Sequence, residues 1–260
     1  MDILHFSDFH FGNKDAPFKL ETLAEKLGNY ASEECINPLV ILSGDITFKG
    51  RKAGYEQASE FVNIFLEFSG VTRSRVIACP GNHDIVNKSF KEFDKFIYGI
   101  RRDSASSFSN NSSRIIEFED AVIYLLNSSY HRNYTYGLID EDCFSDSFNK
   151  YKGKLKIAVT HHHMLNMIEA DSSALRNSYG FIKHLEESKF SYIFHGHQHA
   201  EQSFSIGENK MKVYSARSGN FCQSGLMNGI NVYKVNDDVC ETKFVSYENS
   251  GKSIKIRRVT

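Results

Sequence analysis

The sequence predicts an α/β fold in which two sheets pack against each other within one domain. In the first half of the chain, short apolar runs alternate with stretches whose apolar residues recur at helical spacing. From residue 211 onward, strand-like runs are separated by Asn-Gly and Ser-Gly turns. The alternating half favours a parallel sheet with helical crossovers, and the strand-rich end favours a second sheet packed against the first.

Three strands and two helices are predicted in the first part of the chain. The strands cover residues 3–7, 39–43 and 76–79, each a short and mostly apolar run. Between them, apolar residues recur at the spacing of amphipathic helices, at Leu20, Leu23, Leu27 and Tyr30 and again at Ala58, Phe61, Val62 and Phe65. This order predicts that the three strands run parallel to one another.

The second half continues with more strands and one helix. Residues 115–118 and 121–126 are expected to pair as strands, and further strands are predicted at residues 156–160 and 192–194. A helix is predicted over residues 173–185.

Length and composition limit the kinds of protein that this chain can be. With 260 residues, 41% of them hydrophobic, residues 1–260 are expected to form one domain, complete or the N-terminal part of a longer protein. A net charge of −1 argues against a strongly basic nucleic-acid binder. No apolar stretch is long enough to cross a bilayer, and five widely spaced cysteines indicate buried thiols. We therefore expect a cytoplasmic protein without membrane contact, of an oligomeric state that the sequence does not indicate.

Five polar clusters follow directly after predicted strands. The carboxyl ends of strands in open α/β sheets are where ligands bind, because the loops there converge on one crevice. Residues that are distant in sequence can therefore meet at this edge. In chain order, the clusters contain Asp8 and His10, Gly44 and Asp45, Asn82, His83 and Asp84, His161, His162 and His163, and His197 and His199.

The first two clusters are individually weak signals. Asp8 and His10 are two positions apart, so in an extended backbone their side chains would point the same way and supply half a metal site. The glycine before Asp45 permits a tight turn, and a carboxylate can bridge two cations. Taken singly, each pattern also fits an ordinary surface turn.

The third and fourth clusters are more specific. The Asn82 amide oxygen is a hard metal ligand, His83 can act as an acid or a base, and Asp84 can either orient an imidazole or anchor the loop. Among the three adjacent histidines, His161 lies nearest to the strand end and is the expected ligand. The other two are expected to line the mouth of the site.

The combined donor set indicates more than one metal ion. Two Asp, one Asn and at least four His, without sulfur, suit two borderline divalent ions; Mn is expected, with Fe, Zn or Co as alternatives. Two such ions can clamp the attacking and leaving oxygens of a phosphoryl displacement and generate a bridging hydroxide at neutral pH. The donor set therefore predicts phosphoester hydrolysis.

The order D-x-H, G-D, G-N-H-D, H, G-H-x-H between Asp8 and His199 resembles the calcineurin-like metallophosphoesterase superfamily. The resemblance implies a four-layer αββα sandwich of two mixed sheets flanked by helices. Residues 43–47, followed by Gly50 and Tyr55, are similar to the class III cyclic-nucleotide phosphodiesterase branch. Many relatives have prolines after the fourth motif, where this chain has His163 and Met164, so the rim around the substrate is expected to differ.

The same resemblance implies a role for each matching residue. Asp8, His10 and His199 would hold one metal ion, and Asn82, His161 and His197 the other, with Asp45 bridging both. His83, paired with Asp84, would stabilise the transition state or protonate the leaving oxygen. Residues 129–134 resemble the variable loop that overhangs the metals in relatives.

We therefore expect a metal-dependent phosphodiesterase acting on a small diester such as a nucleotide by attack of a metal-bridging hydroxide. A repair-type DNA or RNA nuclease shares every motif, but the nearly balanced charge does not favour a nucleic-acid partner. A phosphomonoesterase or protein phosphatase would use the same metal site. A catalytically dead, metal-bound scaffold is the least favoured alternative, because such proteins usually lose ligands that this chain keeps.

Overall fold

The computed structural model describes residues 1–167, 169–236, 239–250 and 253–259 of the chain. They form two mixed six-stranded sheets that lie between layers of helices. The four-layer α/β arrangement implied by the sequence is confirmed.

The first sheet contains the first and the last of the described strands. Its strands are β1 (Asp2–Phe6), β2 (Leu39–Leu42), β3 (Val76–Ala78), β10 (Gly229–Asn236), β11 (Val239–Ser250) and β12 (Ser253–Val259). They are arranged in the order β12-β11-β10-β1-β2-β3. The central strands β1, β2 and β3 are parallel, and β10 pairs antiparallel with β1. The carboxyl ends of β1, β2 and β3 consequently lie at one edge of the sheet.

The second sheet is built from the middle of the chain. Its strands are β4 (Ser113–Glu117), β5 (Ala121–Leu126), β6 (Leu155–Val159), β7 (Tyr192–His195), β8 (Gln202–Ile206) and β9 (Met211–Ser215). They are arranged in the order β4-β5-β6-β7-β9-β8, with β5, β6, β7 and β9 parallel. The predicted pairing of the two strands before residue 130 is present as the antiparallel β4–β5 ladder.

Alternation along the strands separates the layers. In β5, Ile123 and Leu125 pack with the first sheet, whereas Val122 and Tyr124 pack on the opposite face. The first core also contains residues of α1 (Leu20–Glu34), α2 (Lys52–Ser69) and α3 (Lys91–Arg101). The second core contains Phe181 and Leu185 of α4 (Ser178–Glu187), so this helix covers the other outer face.

Three expectations about the chain were wrong. The helix predicted from residue 173 begins at Ser178, because residues 171–177 are held in a loop by bonds such as Asn177 Oδ1 with the Ile139 amide (3.0 Å). Only β9 of the strands after residue 211 joins the second sheet, and the last three described strands join the first. The thiols are free, but Cys222 is exposed rather than buried. No helix in the described part of the chain combines the length and the apolar character needed to cross a membrane.

Candidate metal centre

The seven predicted metal ligands converge where the two sheets meet. Loops after β1, β2 and β3 supply Asp8, His10, Asp45 and Asn82, and loops after β6 and β7 supply the remaining histidines, His161, His197 and His199. The side chains of Asp8, Asp45 and His161 are almost completely buried. The strand ends of both sheets therefore build one compact, buried polar centre.

Three side chains form the first half of this centre. Asp8, His10 and His199 place one ligand atom each within 4.8 Å of one another. The His199 Nε2 lies 3.3 Å from the Asp8 Oδ1 and 3.2 Å from the His10 Nε2. We refer to these three residues as the first half-site.

The second half-site contains Asn82, His161 and His197. The His161 Nε2 lies 3.1 Å from the Asn82 Oδ1 and 3.1 Å from the His197 Nδ1. The lone pairs of these atoms can face a common point when the two ring nitrogens are unprotonated. An amide oxygen and two imidazole nitrogens are suitable ligands for a borderline divalent ion.

Asp45 lies between the two half-sites. Its Oδ1 is 3.4 Å from the His161 Nε2, and its Oδ2 is 3.8 Å from the His10 Nε2. The Oδ1 also accepts a hydrogen bond from the His83 amide at 2.8 Å, which fixes the orientation of the carboxylate. Each oxygen is thus next to a different half-site, as a bridging ligand requires.

The backbone at this centre differs from the extended form assumed for Asp8 and His10. Their φ angles are +52° and +48°, and Asp45, His197 and His199 also have positive φ. Non-glycine residues seldom adopt this left-handed conformation, and such residues cluster at functional sites. Asp8 and His10 therefore converge because the chain curls after β1, with their amides bonded to the Gly44 and Asp45 carbonyls, rather than through strand alternation.

Two glycines allow the close packing of the ligands. Gly44 has a φ of +96°, and a methyl group there would collide with the imidazole of His161. A methyl group at Gly196 would collide with Ser7 and with the Asp8 carboxylate. Gly44 and Gly196 are therefore required by space, and Gly44 also by backbone conformation.

Buried charges dominate the electrostatics. Burial opposes ionisation of Asp8 and Asp45, but the neighbouring histidines hold the pKa of both carboxyls below the usual value. Burial also disfavours a charged His161, yet the adjacent Asp45 raises its pKa to about 9. Burial lowers the pKa of His10 to about 4, despite the carboxylates of Asp45 and Asp8. Two anionic carboxylates in a buried pocket favour a cationic partner.

The residues fit a dinuclear metal group. Asp8 Oδ1 is fully buried and has no hydrogen-bond partner among the described residues, so a polar atom that needs a partner points into the centre. Imidazole nitrogens lie within about 3.2 Å of each other in both half-sites. Oxygen and nitrogen donors are supplied without sulfur, which is consistent with the predicted ions.

His83 and Asp84 occupy different positions relative to the centre. The His83 ring lies 4.9 Å from that of His10, and its buried Nδ1 has no bonding partner within the described ranges. The Asp84 carboxylate instead accepts hydrogen bonds from the amides of Ile46, Thr47 and Gly81 at 2.9–3.1 Å. These contacts support the loop-anchoring alternative for Asp84 rather than the expected pairing with His83.

His162 and His163 do not line the mouth of the site, contrary to expectation. Both side chains are buried. His162 Nδ1 lies 2.8 Å from the Ser128 hydroxyl, and His163 Nε2 lies 3.0 Å from the Asp171 carboxylate. They therefore fill the space behind the second half-site.

Several residues at the centre were not identified from the sequence. Ser173 Oγ lies 2.9 Å from His197 Nε2, and Gln223 Oε1 lies 2.7 Å from His199 Nδ1. The rings of Phe48 and Phe221 border the first half-site. The loop expected to overhang the metals does contact a ligand, since the Tyr134 carbonyl accepts a hydrogen bond from the Asn82 amide at 3.2 Å.

Comparison with known proteins identifies the family. A model of the calcineurin-like phosphoesterase family matches residues 1–201. The chain belongs to the calcineurin-like phosphoesterases. The family typically binds dinuclear metal ions, which agrees with the donor groups gathered here. No curated protein sequence matches the chain significantly.

Solved structures support the fold of this phosphoesterase. A dimetal phosphatase from Danio rerio has a TM-score of 0.65 at 12% identity, with 98% of each chain covered. GAP50, the anchor in the inner membrane complex of Plasmodium, has a TM-score of 0.55 at 11% identity, covering 100% of this chain and 88% of its own. The protein TT1561 of Thermus thermophilus has a TM-score of 0.55 at 10% identity, covering 93% and 97%. At these identities the likeness concerns the fold alone.

Proposed function

We propose that this chain is a dinuclear metal-dependent phosphodiesterase that hydrolyses a small diester such as a nucleotide. The observation that carries the proposal is the position of Asp45, whose two oxygens lie next to different half-sites. A carboxylate shared in this way suits two ions close enough to act on one phosphoryl group. We propose Mn²⁺ as the metal and the cytoplasm as the location.

The residues at the centre would have different roles in hydrolysis. The seven ligands would hold two divalent ions, which supply positive charge to the phosphoryl oxygens and lower the pKa of the attacking water. His83 is next to His10 but makes no hydrogen bond through Nδ1 to any described residue, so it is available to donate a proton to the leaving oxygen. Asp84 keeps the loop that carries His83 and Asn82 in place.

Charge around the centre favours a diester over a monoester. A monoester carries up to two negative charges and is best bound by additional guanidinium groups. Arg217 is buried but paired with Glu201, and the side chains of Lys49, Arg51 and Arg132 are exposed. Within the described residues, no arginine makes a hydrogen bond or an ion pair with the seven ligands, and the exposed cations Lys49 and Arg51 lie over the Phe48 ring instead. The absence of a guanidinium bonded at the half-sites favours a singly charged diester.

The proposal is tested by comparing two substrates with the same leaving group. We expect the Mn²⁺-loaded protein to hydrolyse an aryl phosphodiester with a higher kcat/KM than the corresponding aryl monoester. Cyclic mononucleotides and single-stranded DNA, assayed in parallel, would distinguish the cyclic-nucleotide and nuclease activities. A monoester preference above about tenfold, which is roughly 1.4 kcal/mol of transition-state discrimination, would contradict the diester assignment. Metal binding without any turnover would favour the scaffold alternative.

A further inference from the structure

Two phenylalanines form an aromatic wall beside the first half-site. The Phe221 ring lies 4.5 Å from that of His10 and 5.2 Å from that of His199. The Phe48 ring stacks on His83 at 5.9 Å and lies 6.3 Å from Phe221, with an angle of 28° between the two planes. Both phenylalanines are half-buried, so part of each ring stays accessible next to the centre.

The backbone holds both rings in place. The Phe48 amide donates to the Phe11 carbonyl at 2.8 Å, within the loop that carries Asp45. The Phe221 amide donates to the Ser218 hydroxyl at 3.0 Å, and that hydroxyl donates to the Asp8 carbonyl at 2.7 Å. The aromatic wall is therefore linked directly to two of the ligand-bearing loops.

Positive charge lies over the same wall. The Lys49 Nζ is 5.2 Å, and the Arg51 guanidinium carbon 5.3 Å, from the centre of the Phe48 ring. Both side chains are exposed, and Lys49 makes no ion pair with any carboxylate in the described part of the chain. A ligand that joins a planar apolar group to an anionic group would match both features.

We propose that Phe48 and Phe221 form a stacking subsite for the base of a nucleotide whose phosphate lies at the metal centre. The inference rests on the proposed phosphodiesterase function, because the base reaches the wall only when the phosphate of the nucleotide is held at the half-sites. Stacking on an aromatic ring is available to every base, since each base has a π-face. The side chain of Gln223 bonds His199 through Oε1. The subsite therefore favours nucleotides over aliphatic esters and purines over pyrimidines, with little readout of base edges.

Binding of AMP and of ribose 5-phosphate to the Mn²⁺-loaded protein tests the subsite. The two ligands share the phosphate and the sugar, so the ratio of their dissociation constants reports the base. By isothermal titration calorimetry we expect AMP to bind at least about fivefold more tightly, a typical contribution of one stacked base. Phe48→Leu and Phe221→Leu should each lower this ratio at least threefold, mainly because AMP binds more weakly.

Controls separate stacking from folding and from catalysis. Phe68→Leu removes a partly exposed ring where α2 packs against Gly28 of α1, and it should leave the ratio unchanged. Metal content and melting temperature establish that each variant is folded and loaded. If Phe221→Leu loses metal, the ratio measured for Phe48→Leu alone decides whether the rings stack on the base. A wild-type ratio below about two, or a ratio unaffected in the loaded variants, overturns the stacking subsite. If AMP binds more tightly than ribose 5-phosphate as expected but the protein hydrolyses no diester, the proposed function is overturned and the stacking subsite is not.

Discussion

The two half-sites are supported by their surroundings in different ways. In the second half-site, each ligand side chain makes a further hydrogen bond outside the ligand set. The His161 Nδ1 donates to the Ser43 carbonyl at 2.8 Å, and the His197 Nε2 lies 2.9 Å from the Ser173 hydroxyl. The side-chain amide of Asn82 donates to the Tyr134 carbonyl. In the first, the Asp8 Oδ2 accepts a hydrogen bond from the His197 amide at 2.9 Å, but the His10 Nδ1 is buried without a partner among the residues described. His199 is bonded to Gln223, whose side chain is exposed.

This contrast has consequences for metal binding. The Ser43 carbonyl can only accept, so Nδ1 of His161 keeps its proton, and a metal ion at Nε2 would replace the second proton that Asp45 favours in the metal-free protein. Outer partners of this kind orient ligands and typically contribute about 10–100-fold to metal affinity. We infer that the second half-site binds its ion tightly and that the first half-site, next to the aromatic wall, binds more weakly.

The largest effect is expected from removing the residue that both half-sites share. Asp45→Ala deletes one oxygen ligand from each ion, so we expect metal content to fall below one ion per chain and kcat/KM to fall by more than about 10³-fold. Metal analysis and diester turnover would measure both. Asp15→Ala, at an exposed position, is the matched control. Loss of one ion with the other retained at full occupancy would show that Asp45 serves a single half-site.

His83 tests whether the region between the half-sites provides acid catalysis or another ligand. His10, Asp45 and His83 also lie within ligand distance of one another, so a metal role has a geometric basis. We expect His83→Ala to lower kcat by about 10²–10⁴-fold while two ions remain bound, as for loss of a general acid. A variant that loses an ion along with its activity would place His83 among the ligands and weaken the contrast between the half-sites.

The convergence of the seven predicted ligands could be anticipated from the sequence for a definite physical reason. Each is an oxygen or nitrogen donor shortly after an apolar strand, and parallel strands bring such positions to one edge. The aromatic wall gave no comparable signal, because Phe48 and Phe221 are two of 21 phenylalanines and are separated by most of the chain. Ser173 was likewise assigned to a helix, since nothing local indicates that its hydroxyl lies against His197.

The fold shows the same limit. Alternating strands and helices predicted the parallel strands β1, β2 and β3, which confirms the value of periodicity over short distances. Periodicity could not show that β10 pairs with β1, because the apolar residues of a strand do not specify which sheet it joins. The left-handed backbone of Asp8 and His10 could not be predicted from the neighbouring sequence either, because hydrogen bonds to the distant residues 44 and 45 stabilise it.

The smallest predicted effects distinguish the half-sites most directly. Calorimetric titration of the metal-free protein with Mn²⁺ should resolve a tight and a weak binding event. Ser173→Ala removes the hydroxyl beside His197 Nε2, so we expect it to weaken the tight event by about 10–100-fold and to leave the weak one nearly unchanged. Gln223→Ala should affect only the weak event, and by less, because water can replace an exposed partner.

The two variants serve as controls for each other, since each removes one hydrogen-bonding group outside the ligand set. Two outcomes would contradict this prediction: both variants weakening the same binding event, or a titration that shows two equal sites. The outer hydrogen bonds would then not determine metal affinity, and the bridging Asp45 would couple the half-sites into one binding unit.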